Sequence, residues 1–111
     1  MKTGITTHVL DISTGLPAPD IKLSLHRREG EAWRFVAGAA TDQDGRAAFD
    51  AAPHAGEYRL TFEVAAYFTA REVEAFYPRV QILFSVPSNG AAHYHVPLLL
   101  GPFGYSTYRG S

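Results

Sequence analysis

Residues 57–64 read EYRLTFEV, with apolar Tyr58, Leu60, Phe62 and Val64 alternating against Glu57, Arg59, Thr61 and Glu63. Successive side chains of a strand point to opposite faces, so this pattern marks a strand with one buried and one wet side. The same period recurs on both sides of it. Ile21, Leu23 and Leu25 alternate with Lys22, Ser24 and His26; Trp33, Phe35 and Ala37 form another run; Val80, Ile82, Phe84 and Val86 oppose Gln81 and Ser85. Turn signals separate these runs: Thr14-Gly-Leu-Pro17, Arg28-Glu-Gly30, Asp42-Gln-Asp-Gly45, Pro53-His-Ala-Gly56 and Pro87-Ser-Asn-Gly90. Many short strands joined by turns specify an all-β sandwich or barrel. One stretch departs from the pattern. Residues 66–76 favour a short helix by propensity, and Pro78 stops it.

Composition excludes several classes of function. The 111 residues form one expected domain, 1–111, large enough to bury a core. A formal charge of −1 without a basic run argues against nucleic acid or an anionic membrane as partner. The chain has no cysteine, which removes disulfides, thiolate nucleophiles and cysteine-ligated zinc, and fits a reducing compartment. Thr6-Thr7-His8 interrupts any apolar run after Met1-Lys-Thr-Gly-Ile5, leaving no room for a signal peptide. No stretch approaches the roughly 18 apolar residues of a membrane span. A soluble, cytoplasmic protein is the expectation.

The tail, HYHVPLLLGPFGYSTYRGS from His93 to Ser111, carries the chemistry. As a strand, residues 93–100 place Tyr94, Val96, Leu98 and Leu100 on a core face and His93, His95, Pro97 and Leu99 on the outward one. After Gly101-Pro102 a second aromatic-rich strand runs to the last residue. In it Ser106, Tyr108 and Gly110 share one face, and Tyr105, Thr107 and Arg109 the other. Terminal segments are usually frayed and polar; this one reads as docked, which suggests a site built partly from the chain end. Near the start, Thr6, His8 and Leu10 alternate with Thr7, Val9 and Asp11. The terminal strand and residues 80–86 are expected at sheet edges, where unpaired backbone groups invite another chain.

These segments together resemble the 5-hydroxyisourate hydrolases, the enzymatic branch of the transthyretin family. The resemblance rests on Thr6-Thr-His-Val-Leu-Asp11, Thr41-Asp-Gln-Asp-Gly-Arg46, Glu57-Tyr-Arg-Leu-Thr-Phe62 with Tyr67-Phe68, His93-Tyr-His-Val-Pro-Leu-Leu-Leu100 and the final Tyr108-Arg-Gly-Ser111. It implies a sandwich of two four-stranded sheets with one short helix, assembled as a homotetramer, a dimer of dimers around a central channel. The implied reaction opens the six-membered ring of 5-hydroxyisourate, the product of urate oxidation. It gives 2-oxo-4-hydroxy-4-carboxy-5-ureidoimidazoline on the route to allantoin, with no metal or other cofactor. The implied functional residues are His8, Arg46, His95 and Ser111, with Tyr108 narrowing the channel into a pocket.

The chemistry suits these residue types. Ring opening requires water to attack an amide-like carbonyl, and histidine is a base at neutral pH. His95 and His8 would activate the water, with the choice between them open. Arg46 would orient the substrate and stabilise developing charge, and Ser111 would offer its hydroxyl or α-carboxylate.

Blander readings stand beside these. Arg46 follows Asp44-Gly45, a turn dipeptide, and by itself reads as an exposed turn arginine. His93 reads as supporting or solvent-facing, and His26 and His54 flank turns without a catalytic role. Asp42-Gln-Asp-Gly45 lacks the closing glutamate of a calcium loop. His93 and His95 with His8 would make a three-histidine zinc set, the less favoured reading. A transthyretin-type carrier would use the same channel for a small ligand, and a purely structural sandwich module would have no such cluster.

Overall fold

The computed structural model describes residues 4–50 and 53–111. Met1–Thr3, part of the stretch on which the signal-peptide reading rests, lies outside the described residues. Among the described residues, ten strands and one short helix follow in the order β1 (Gly4–Asp11), β2 (Leu16–Pro17), β3 (Lys22–Glu29), β4 (Ala32–Ala40), β5 (Arg46–Phe49), β6 (Gly56–Phe62), α1 (Val64–Thr69), β7 (Val80–Val86), β8 (His93–His95), β9 (Leu98–Leu100) and β10 (Tyr105–Thr107).

Two sheets face each other. The first joins six segments in four positions across: β10, then β8 and β9 end to end, then β1, then β5 and β2 end to end. β8 and β9 run parallel to β1 in one register, and Pro97, which has no N–H to donate, separates them. The second sheet has the order β4-β3-β6-β7. The sandwich expectation therefore holds, and β10 and β7 both lie at sheet edges as their sequences suggested.

The core forms where the inner faces meet. Ile5, Val9, Leu98 and Leu100 come from the first sheet, and Leu23, Leu60, Phe62 and Val80 from the second. Tyr58, Leu60 and Phe62 are buried as their alternation requires, but Thr61 on the opposite face is buried too. Val64 is buried as the first residue of α1, not as part of the strand, which ends at Phe62.

Two local readings need correction. Trp33, Phe35 and Ala37 do not share a face. The pairing of β3 with β4 passes from Leu25↔Ala37 to His26↔Phe35, so Val36 is an extra residue and the facing inverts there. Phe35 is consequently 60% exposed while Ala37 packs on the core. His26 sits beside this bulge within β3, with its ring edge-on to Phe35, and does not flank a turn. The helix is also shorter than 66–76. It ends at Thr69, and Glu72 takes a left-handed φ of 59° that no helix can continue through.

Asp11, at the end of β1, ties the helix to the first sheet. It is a carboxylate 2% exposed, and Tyr67 of α1 donates its phenol to Oδ2 at 2.8 Å. Burial pushes the Asp11 carboxyl up, but hydrogen bonds from the Ser13 hydroxyl, Tyr67 and the Ser13 and Thr14 backbone outweigh burial and hold it below 3.8. Burial, the bond to Asp11 and that residue's charge together push the Tyr67 phenol up to about 12. The Arg71 guanidinium lies 3.7 Å from the Tyr67 ring centroid. Because the carboxyl is lowered in the folded state, its contribution is present above its ordinary value of 3.8 and fades as pH falls through the folded value. Replacing Tyr67 with Phe should cost about 1.5–3 kcal/mol at pH 7, the range for a hydrogen bond to a charged group. Urea unfolding at a series of pH values checks this. The gap between Tyr67→Phe and wild type should narrow below pH 3.8; a gap independent of pH would contradict the assignment.

Candidate active site

β1 is hydrogen-bonded along both edges, and its two faces do different work. Ile5, Thr7, Val9 and Asp11 point into the core, while Thr6, His8 and Leu10 are only half-buried on the other side. Residues directly opposite one another in a sheet share a face. Pairing with β5 therefore sets His8 opposite Arg46, and pairing with β8 sets Thr6 opposite His95.

The turn before β5 determines where Arg46 sits. Oδ1 of Asp42 accepts from the backbone N–H groups of Asp44 and Arg46, at 2.9 and 3.0 Å. That carboxylate closes the turn. Gly45 has a φ of +74°, and a Cβ there would lie 2.4 Å from the Val9 carbonyl oxygen. The glycine is needed on both counts: its own carbonyl accepts from Val9 N–H at 2.8 Å and fastens the turn to β1. Arg46 begins β5 immediately afterwards. Its guanidinium has no hydrogen-bond or ion-pair partner among the described residues, whereas Arg28, Arg34 and Arg79 pair with Glu57, Glu29 and Glu63.

His93 and His95 occupy the outward face of β8, as their spacing required, with ring centroids 6.3 Å apart. Between them stands Thr6, whose Oγ1 is 2.8 Å from His93 Nε2 and 2.8 Å from His95 Nδ1. Sequence reasoning placed Thr6 on the His8 face and gave it no role. The signal that was missing is the parallel register, which brings together residues separated by most of the chain.

The tail runs back along β9 and β8. Thr107 opposes Leu98, and Gly110, three residues on, opposes His95 in the same register. Gly110 N–H donates to the His95 carbonyl at 2.8 Å, and a Cβ on Gly110 would fall 2.5 Å from His95 Cδ2. Only a glycine lets the tail lie this close to the imidazole. It also covers Pro97, which the alternation put on the outward face and which is in fact buried.

A cleft of about 490 Å³ opens on this face, within the size range of small-molecule sites, lined by Thr6, Arg46, His93, His95 and Ser111 with a floor of alanines. His8 does not line it directly and adjoins it through Arg46. Tyr108, 57% exposed, lines a different hollow beyond His95, against β7. Among the described residues no three His, Asp or Glu side chains converge with the spacing of a metal site. No described helix is long and apolar enough to cross a membrane.

Comparison with known proteins gives a consistent result. The profile of the HIUase/Transthyretin family matches residues 5–110. A 5-hydroxyisourate hydrolase of Caulobacter vibrioides is 44% identical, over 98% of this chain and 99% of its own. The structure of Klebsiella pneumoniae 5-hydroxyisourate hydrolase superposes with a TM-score of 0.85 at 42% identity, covering 98% of this chain and 99% of that one. Sea bream transthyretin in complex with thyroxine gives a TM-score of 0.88 at 28% identity, over 96% and 94% of the two chains.

The Gly45 geometry makes a direct prediction. Gly45→Ala should destabilise the protein by at least about 1–3 kcal/mol, from the left-handed backbone alone, with the clash on Val9 adding to it. The unfolding midpoint in denaturant measures this; an unchanged midpoint would contradict the packing of the turn on β1.

Proposed function

The chain belongs to the HIUase/transthyretin family, and from that premise we propose that it hydrolyses 5-hydroxyisourate to 2-oxo-4-hydroxy-4-carboxy-5-ureidoimidazoline in urate degradation. The observation that carries this reading is the cleft that Arg46, His95 and Ser111 share. It combines a guanidinium with no ion-pair partner among the described residues, an imidazole and a hydroxyl on a face that could otherwise have been plain β-surface. Such a lining suits a small polar heterocycle better than the apolar ligand of a carrier.

In the proposed mechanism the substrate ring lies in the cleft with a carbonyl directed at Arg46. An imidazole, His95 or His8, takes a proton from water as the water oxygen attacks that carbonyl. The guanidinium stabilises the oxyanion that forms. The carbon–nitrogen bond then breaks, the ring nitrogen recovers a proton, and the carboxylate product leaves. Ser111 positions the substrate by hydrogen bonding. No step uses a metal, so chelators should leave the rate unchanged.

With freshly generated 5-hydroxyisourate, whose decay is followed by absorbance, His95→Ala should lower turnover by roughly 10²–10⁴, the usual worth of general acid–base catalysis. Ser111→Ala should weaken it less. Both variants should stay folded, since neither side chain belongs to the core. Near-normal turnover by folded His95→Ala would refute the mechanism.

The same proposal extends to assembly and location. β10 and β7 leave edges on the same flank of the sandwich, where Tyr108 and Leu83 are exposed. Pairing of these edges in a homotetramer, a dimer of dimers, would cover them and close the cleft into a channel narrowed by Tyr108. We take residues 1–111 as one catalytic domain acting in the cytoplasm, in keeping with the absence of cysteine. Light scattering at micromolar protein should give the mass of four chains; the mass of one would contradict a site shared between subunits.

A further inference from the structure

We propose that Thr6 is a positioning residue that couples the tautomers of His93 and His95 and relays a proton between them. This inference rests on the hydrolase reading of the cleft and assigns it two residues beyond the four already given roles.

Hydrogen-bond accounting drives the argument. A threonine hydroxyl has one proton to donate and lone pairs to accept with. Thr6 Oγ1 lies at 2.8 Å from a nitrogen of each ring, so it cannot donate to both. At least one ring must therefore present N–H to Thr6, and a continuous donor–acceptor chain forms when the other presents a lone pair. Two arrangements satisfy this when both rings are neutral. In the first, His93 Nε2–H donates to Thr6, Thr6 donates to His95 Nδ1, and the His95 proton resides on Nε2. In the second the direction reverses: His95 Nδ1–H donates to Thr6, Thr6 donates to His93 Nε2, and His95 Nε2 carries a lone pair. Only the second makes His95 Nε2 a base.

The surrounding structure keeps the three groups aligned. Thr6 and His95 are register partners in adjacent parallel strands. Val96 N–H donates to the Thr6 carbonyl at 2.8 Å, and the Thr7 hydroxyl donates to the Val96 carbonyl at 2.6 Å. Gly110 closes against the far side of the His95 ring. The two imidazole planes differ by only 22°.

A proton step through this chain balances. When His95 Nε2 takes a proton from water, the ring is protonated at both nitrogens. Its Nδ1–H passes to Thr6 Oγ1 as the original hydroxyl proton passes to His93 Nε2. One N–H and one O–H bond break, one O–H and one N–H bond form, and no electrons are exchanged. The positive charge moves to His93, and His95 is left neutral with a proton on Nε2. The relay then runs backwards, returning a proton to His95 Nδ1 as the Nε2 proton passes to the leaving ring nitrogen, which restores the starting state without forming an imidazolate. His93 is thereby a proton store that acts through Thr6.

The test uses Thr6→Val, nearly the same shape without the hydroxyl, and Thr6→Ser, which restores it. With 5-hydroxyisourate, Thr6→Val should lower kcat by about 10- to 100-fold with little change in KM, a fraction of what acid–base catalysis supplies. Thr6→Ser should recover most of the rate. Thr6→Val combined with His93→Ala should lose no more than either change alone, because both interrupt one path. Imidazole ¹⁵N spectra of the protein without substrate give an independent readout. In wild type, whichever ring is protonated at the nitrogen facing Thr6, the other should be unprotonated at its own; Thr6→Val should abolish that correlation. Wild-type kcat in Thr6→Val, a loss that Ser does not repair, or uncorrelated tautomers in wild type would overturn the relay. Correlated tautomers in a protein that fails to accelerate 5-hydroxyisourate decay would uphold the coupling and reject the hydrolase reading.

Discussion

The pairing of β1 along both its edges is the constraint on which the rest of the molecule depends. β8 and β9 hold one side in a single parallel register, and β5 and β2 hold the other. A strand in this position cannot slip. Moving by one residue would bring Thr6 and His8 into the core and expel Ile5 and Val9, which are at most 2% exposed. The hydrophobic effect that fixes Ile5 and Val9 inside therefore also fixes Thr6 and His8 outside. The chemistry on the outer face is aligned by packing on the inner one.

Two glycines and a buried carboxylate extend that alignment. Gly45 brings the turn onto Val9 and starts β5 with Arg46 opposite His8. Gly110 brings the tail onto His95 and leaves Ser111 at the cleft. At the far end of β1, Asp11 joins Tyr67 and so anchors the helix to the strand that carries the site. Arg46, His93 and His95 are thus presented by strands, which hold side chains more accurately than loops. Relatives with different activities fit the same frame: sea bream transthyretin, solved with thyroxine, matches it closely at 28% identity. Fold alone does not choose between hydrolase and carrier; the lining of the cleft bears on that choice.

The strands were legible in the sequence because burying one face of a sheet writes a period of two, as in Tyr58, Leu60 and Phe62 of β6. The facing of His93 and His95 was legible for the same reason, with Tyr94 on the core side. The sheet edges at β10 and β7 were legible from strand sequences that carry little edge protection. Features that depend on contacts between distant segments were not. The bulge at Val36 leaves the composition of β4 unchanged and only inverts its facing. The helix ends at Thr69, ahead of the left-handed Glu72, although its local propensity would carry it further. Thr6 looked like one more strand threonine until the register set it between two imidazoles. Tyr108, read as a wall of the same pocket, faces a separate hollow within one chain; joining the two would take neighbouring subunits.

The central claim is that this face of the first sheet opens the 5-hydroxyisourate ring. It is tested most directly by progress curves of freshly generated 5-hydroxyisourate with and without purified wild-type protein. The account predicts decay faster than the spontaneous reaction, with a rate proportional to protein and saturating with substrate. Decay at the spontaneous rate, in the presence of protein shown to be folded and assembled, would contradict it.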